Sequence, residues 1–170
     1  GAITLDETVA LTREAEDAGC DGALILPPYF VQLTDDEIFA HYAAVSDAVG
    51  IPILLYNIPG NAVNALSPSL AGRLAELERV VAIKESSGDT RRITDLRNTV
   101  GDRYAIFTGV DNLALEASIL GIDGWVAGSG IAFPAENQYF WELTRKGQWD
   151  KARELYRWFT PLLHLDVHPK

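Results

Sequence analysis

The chain has 170 residues, 48% of them hydrophobic and 22% charged, and carries a formal charge of −10. That size and balance fit one globular α/β domain over residues 1–170 and exclude a disordered or fibrous chain. An acidic chain with no long apolar run is a poor partner for nucleic acid or a membrane, since these reward positive charge or sustained hydrophobicity. A single cysteine, Cys20, cannot form an internal disulfide, so a reducing cytoplasm is the expected setting. Its place between a helix end and a strand suits a small core residue.

The elements follow in chain order. Thr4-Leu5-Asp6-Glu7 has capping-box spacing and predicts a helix running to Ala18 and stopping at Gly19. A short apolar strand is expected over 22–26, halted by Pro27-Pro28. Thr34-Asp35-Asp36-Glu37 repeats the box, and Ile38, Tyr42, Val45 and Val49 follow at helical spacing up to Gly50. A second strand is expected over 53–56, before Asn57-Ile58-Pro59-Gly60. Ser67-Pro68 opens a helix whose buried stripe is Leu70, Leu74 and Leu77.

Residues 80–84, Val-Val-Ala-Ile-Lys, read as a third strand buried in a parallel sheet. Asp89 or Thr90 should cap a helix carrying Ile93, Leu96 and Val100 and closed by Gly101. A fourth strand is expected over 104–108, with Asp111 capping a helix to Leu120. A fifth follows over 124–127, then Gly128-Ser129-Gly130. Helices over about 135–146 and 150–163 complete the reading.

Strand and helix thus alternate five times, which predicts parallel strands joined by right-handed crossovers. Two architectures satisfy the pattern: an open doubly wound sheet, or part of an eight-fold (β/α) barrel, which typically needs about 250 residues. Alternation alone leaves both open.

Either way, strand-end residues gather at the carboxyl side of the sheet, where α/β proteins place their chemistry. Lys84 ends the third strand and Tyr56 the second. Burial at such a strand end disfavours the charged form of an amine and favours attack on a carbonyl, with a neighbouring phenol to move the proton. The bland alternatives are a lysine whose head reaches water and a tyrosine capping the core. Glu85 should point away from Lys84, because successive strand residues alternate faces. Ser86-Ser87-Gly88 could hold an anion at a helix N-terminus but matches no phosphate-loop spacing and reads first as a turn, and Gly128-Ser129-Gly130 as a close backbone approach. His164 and His168 lie four residues apart but lack a third candidate ligand, so no metal site is assigned.

With Tyr56-Asn57-Ile58-Pro59-Gly60, Ala82-Ile83-Lys84-Glu85-Ser86-Ser87-Gly88-Asp89 and Thr108-Gly109-Val110-Asp111 in this order, the chain resembles the dihydrodipicolinate synthase / N-acetylneuraminate lyase family. The resemblance implies a (β/α)8 TIM barrel, present here as its last five βα units, and a homotetrameric class I lyase that needs no metal or organic cofactor. It further implies that Lys84 forms a Schiff base with a small 2-oxo acid or cyclic imine and that Tyr56 relays protons. Gly109 and Val126 would line the site through backbone groups. Tyr29 falls in a loop where the family often carries two tyrosines, although here Phe30 follows it. Asn61 stands where a dihydrodipicolinate synthase would carry an arginine for a substrate carboxylate, a bidentate contact an amide cannot replace. The segments 86–98 and 155–170 are most similar to the branch that deaminates 1-pyrroline-4-hydroxy-2-carboxylate.

Overall fold

A computed structural model describes residues 1–165 and 167. Helix α1 (Leu5–Asp17) starts at a complete capping box, with Thr4 Oγ1 accepting from Glu7 N and Glu7 reaching back to Thr4 N. It ends in a Schellman turn: Gly19 N bonds Glu16 O, Cys20 N bonds Ala15 O, and Gly19 takes a φ of +86°. That turn leaves Cys20 exposed, not in the core. Strand β1 (Ala23–Ile25) follows, then α2 (Asp35–Ala48), opened by the second capping box at Thr34 and Glu37.

Strand β2 (Ile53–Asn57) leads to α3 (Pro68–Leu74), whose first turn is capped by Ser67 Oγ. This helix stops before Leu77, which packs against the core from the loop beyond. Strand β3 (Val80–Glu85) precedes α4 (Arg91–Val100). Thr90 sits at the N-cap of α4 without a side-chain bond. Asp89 does the capping from one residue earlier, accepting from Arg91 N at 3.1 Å. Then come β4 (Ala105–Thr108), a 3-10 turn at Asp111–Leu113, α5 (Ala114–Ile119), β5 (Gly124–Trp125), α6 (Pro134–Arg145) and α7 (Trp149–Leu163).

The five strands form one parallel sheet in the order β1-β2-β3-β4-β5. A doubly wound sheet reverses its strand order at a switch point. Here each strand pairs with the next in sequence, which is the winding of a (β/α) barrel, and the chain supplies five of its βα units.

One face of the sheet is packed beneath the helices. Ile53 and Leu55 of β2, Ile83 of β3 and Ile106 of β4 are buried against Ile38, Tyr42 and Val45 of α2, Leu70 and Leu74 of α3 and Ile93 and Leu96 of α4. The opposite face carries Leu54, Tyr56, Lys84 and Phe107, all partly exposed. Period-two alternation therefore assigns Tyr56 and Lys84 to the inner face and their successors, Asn57 and Glu85, to the helix side. A second, aromatic cluster forms where Phe140 of α6 stacks on Tyr156 of α7 at 5.3 Å and meets Phe159 edge-on. It seats the two last helices against α5.

Candidate active site

Lys84 and Tyr56 are register partners on adjacent strands. The Lys84 Nζ lies 3.1 Å from the Tyr56 hydroxyl and 4.2 Å from the centre of its ring. Among the described residues Lys84 makes no ion pair with a carboxylate, the arrangement expected of a binding module that merely neutralises a strand-end lysine.

The pair forms one wall of a cavity of about 540 Å³ whose lining also includes Ile58, Asn61, Ser86, Gly109, Val110, Val126 and Gly128. Each comes from a loop at the carboxyl end of a strand. The sequence-predicted residues Lys84, Tyr56, Asn61, Gly109 and Val126 therefore meet in one place. Tyr29 does not line that cavity. It borders a separate crevice with Ile3, Glu7 and Leu11, beside an exposed Phe30 and Val31.

Gly109 has a steric reason for being glycine. A Cβ there would collide with Ser86 Oγ and with Cε of Lys84, so the bare backbone is what gives the lysine stem its room. Gly109 N donates to Glu85 O at 2.9 Å and Val126 N to Thr108 O at 3.0 Å. Both amide N–H groups are committed to backbone partners, so what the backbone can present to a ligand at these positions is carbonyl oxygen.

Ser86, read from sequence as part of a turn first, also lines the cavity. Its hydroxyl is buried in the cavity wall with no hydrogen-bond partner among the described residues. A buried unpaired hydroxyl is costly, and one lining a cavity beside an amine is available to a ligand. Alternation from Lys84 to Ser86 was the available signal, since residues two apart share a face.

Asp111 departs from its predicted role. It opens the 3-10 turn but does not cap its own helix. The carboxylate, 1% exposed, accepts from Trp125 Nε1 at 3.0 Å, Gly128 N at 3.2 Å and Ser129 N at 2.6 Å. It thereby clamps the loop after β5, which carries Val126 and Gly128 to the cavity. The loop after β2 is held similarly. Asn64 Oδ1 accepts from Leu33 N at 2.8 Å, and Asn64 Nδ2 donates to Val31 O at 2.8 Å and to Pro28 O, tying this loop to the one bearing Tyr29.

His164 Nδ1 lies 3.0 Å from Asn112 Nδ2, while His168 is outside the described residues. No described helix is long and apolar enough to cross a membrane.

Sequentially wound βα units with an amine and a phenol paired at adjoining strand ends define the class: a (β/α) barrel bearing an amine site. The profile of the dihydrodipicolinate synthetase family matches residues 1–168, and the chain belongs to that family. It is 35% identical over 164 residues to the 4-hydroxy-tetrahydrodipicolinate synthase of Syntrophobacter fumaroxidans, covering 96% of this chain and 56% of that protein. To the enzyme of the same name from Archaeoglobus fulgidus it is 31% identical over 172 residues, covering 99% and 60%. Among solved structures, the pyruvate complex of dihydrodipicolinate synthase from Acinetobacter baumannii superposes with a TM-score of 0.94 at 30% identity, over all of this chain and 58% of that one. The Aquifex aeolicus dihydrodipicolinate synthase gives the same score and identity over 99% and 58%. The chain thus spans under two thirds of the length of these relatives.

Proposed function

We propose that the protein acts as a class I lyase in which Lys84 forms an imine with a small 2-oxo acid or a cyclic imine. The observation that carries the reading is the Lys84–Tyr56 contact at the rim of the cavity. Unprotonated, Lys84 Nζ attacks the substrate C2 carbonyl carbon, forming the C–N bond as the carbonyl oxygen takes a proton. The amine proton then leaves, and the carbinolamine oxygen departs as water once protonated a second time. Tyr56, within hydrogen-bond reach of Nζ, is the group placed to carry these protons. The resulting protonated imine is the electron sink that permits bond making or breaking at C3.

The substrate we favour is a cyclic imine such as 1-pyrroline-4-hydroxy-2-carboxylate. Lys84 adds to the C=N carbon and the ring nitrogen leaves as a primary amine. Loss of the hydroxyl as water then allows hydrolysis to ammonia and a 2-oxo acid semialdehyde; two waters enter for the one that leaves. Asn61 supports this choice, because it offers the cavity a neutral amide. Lys84 is the one charged side chain among the described residues lining it, and a second substrate carboxylate finds no guanidinium there. The relatives' names favour the alternative, condensation of pyruvate as in 4-hydroxy-tetrahydrodipicolinate synthase.

Borohydride added with pyruvate or with the cyclic imine should fix an adduct on Lys84, detected by peptide mass; the absence of an adduct with both rejects the Schiff-base reading. Ammonia release from the cyclic imine, compared with pyruvate consumption in the presence of an aldehyde, separates the two substrates.

A further inference from the structure

One residue beyond the amine and the phenol, on the other face of the same two strands, stands a second cross-strand pair. Asn57 and Glu85 are register partners, and Asn57 Nδ2 donates to Glu85 Oε2 at 2.8 Å. Both are buried, Glu85 at 4% and Asn57 at 0% exposure. Glu85 also accepts from Ser87 N at 2.6 Å and from Arg92 Nε at 3.0 Å, so its carboxylate joins β2, the turn after β3 and the first turn of α4. Asn57 Oδ1 accepts from Leu66 N at 2.9 Å, and Arg92 donates to Leu66 O. The loop bringing Ile58 and Asn61 to the cavity is therefore anchored at its far end to the same network.

We propose that Glu85, acting with Asn57, is the positioning residue that holds the Lys84 amine against the Tyr56 hydroxyl. The register between β2 and β3 shifts between Ile53 and Leu54, so the alignment of the strand starts does not carry through unaltered to their ends. The Asn57–Glu85 hydrogen bond sits one residue past the reacting pair and fixes the register there. A strand end that turns to relax Glu85 must turn Lys84 the opposite way, since consecutive residues share one backbone and face opposite sides. A hydrophobic pair would fill the same volume without fixing a direction; the hydrogen-bonded pair does, because its donor and acceptor meet in one geometry.

This inference rests on the Schiff-base reading, and the test separates them. Pyruvate-dependent borohydride labelling of Lys84 is followed by peptide mass in the intact protein, well below its melting temperature. Glu85→Gln sets an amide donor against one of the three donors now facing the carboxylate; Asn57→Ser removes the cross-strand donor but leaves Arg92 paired. Labelling at saturating pyruvate is expected to fall about 10²-fold in Glu85→Gln and at least about tenfold in Asn57→Ser, because ångström misplacement of a nucleophile costs that much. The pyruvate concentration giving half the maximal rate should change by less than about threefold, neither residue lining the cavity. The double variant Asn57→Asp with Glu85→Gln exchanges donor and acceptor across the strand pair, while Arg92 Nε, which shares Glu85 Oε2 with Asn57, then faces the new amide donor. It should recover part of the rate lost in Glu85→Gln. Wild-type labelling rates in a folded Asn57→Ser or Glu85→Gln protein overturn the proposal. So does a double variant that regains thermal stability but not labelling. Wild-type protein that takes no label from either pyruvate or the cyclic imine sinks the Schiff-base reading, and the positioning role with it.

Discussion

Tyr56 meets Lys84 twice, through its hydroxyl at 3.1 Å and through its ring face at 4.2 Å from Nζ. The two contacts do different work. The ring attracts a cationic head and shields it from water, whereas in the proposed lyase the hydroxyl is the group that would exchange protons with it. Phenylalanine keeps the first and loses the second. Tyr56→Phe should therefore lower turnover about 10²- to 10⁴-fold, the range for loss of a positioned acid–base group, with little change in the substrate concentration for half-maximal rate. Tyr56→Ala should weaken substrate capture as well. Steady-state kinetics on both variants decides it, and near-normal turnover in the phenylalanine variant removes the relay.

Gly109 is the narrowest tolerance in the site. A methyl group at this position meets Ser86 Oγ and the lysine stem, including Cγ of Lys84 at 3.1 Å. Gly109→Ala should abolish borohydride labelling of Lys84 while the far-ultraviolet circular dichroism of the folded protein is retained. Full labelling in that variant would mean that the lysine stem is free to move aside.

The unpaired Ser86 hydroxyl has opposite consequences for stability and binding. Replacing it with alanine removes a buried hydroxyl that has no hydrogen-bond partner among the described residues, so Ser86→Ala should leave the melting temperature equal or higher. If a substrate oxygen completes that hydroxyl, the same change raises the half-saturating substrate concentration about five- to tenfold, corresponding to roughly 1 kcal/mol for one neutral hydrogen bond. Calorimetry and kinetics on one protein sample report the two effects, and a fall in melting temperature would contradict the first.

Asp123 ties the sheet to α4 and gives stability a definite dependence on pH. Partial burial pushes its carboxyl up, but the Ile106 N–H at 2.8 Å and the Arg97 guanidinium at 2.8 Å outweigh that and hold it below the usual value. A depressed folded value means that the contribution is complete above the unfolded aspartate value of about 4 and is lost as pH falls through the folded one. The melting temperature should drop below about pH 4, and Asp123→Asn should show a shallower drop over that window. Equal slopes for the two proteins would exclude Asp123 as a contributor.

Much of this was legible along the chain, for a physical reason. Thr4 with Glu7 and Thr34 with Glu37 satisfy backbone donors within one turn, so spacing alone specifies both helix starts. Tyr56 and Lys84 could be singled out because each ends an apolar run, and strand alternation placed Glu85 on the opposite face. Asp111 misled because its spacing matched a local cap, while its three partners lie 14 to 18 residues further along the chain. Asn64 gave no local sign at all, since its partners are on the loop after β1.

The sequence by itself determined the alternation of strand and helix, the capped helix starts and the placing of a tyrosine and a lysine at two strand ends, because each depends on interactions within a few residues. Local pattern allowed an open sheet and a barrel equally, and the family resemblance implied the barrel. The tertiary structure decided it, since strand order is a relation between segments some 30 residues apart and leaves no mark on local periodicity. It also decided which strand-end residues share a cavity, drawing Asn61, Gly109 and Val126 toward Lys84 and leaving Tyr29 at another crevice. The paths of the loops settled that, held by buried carboxylate and amide groups whose partners lie far away in sequence.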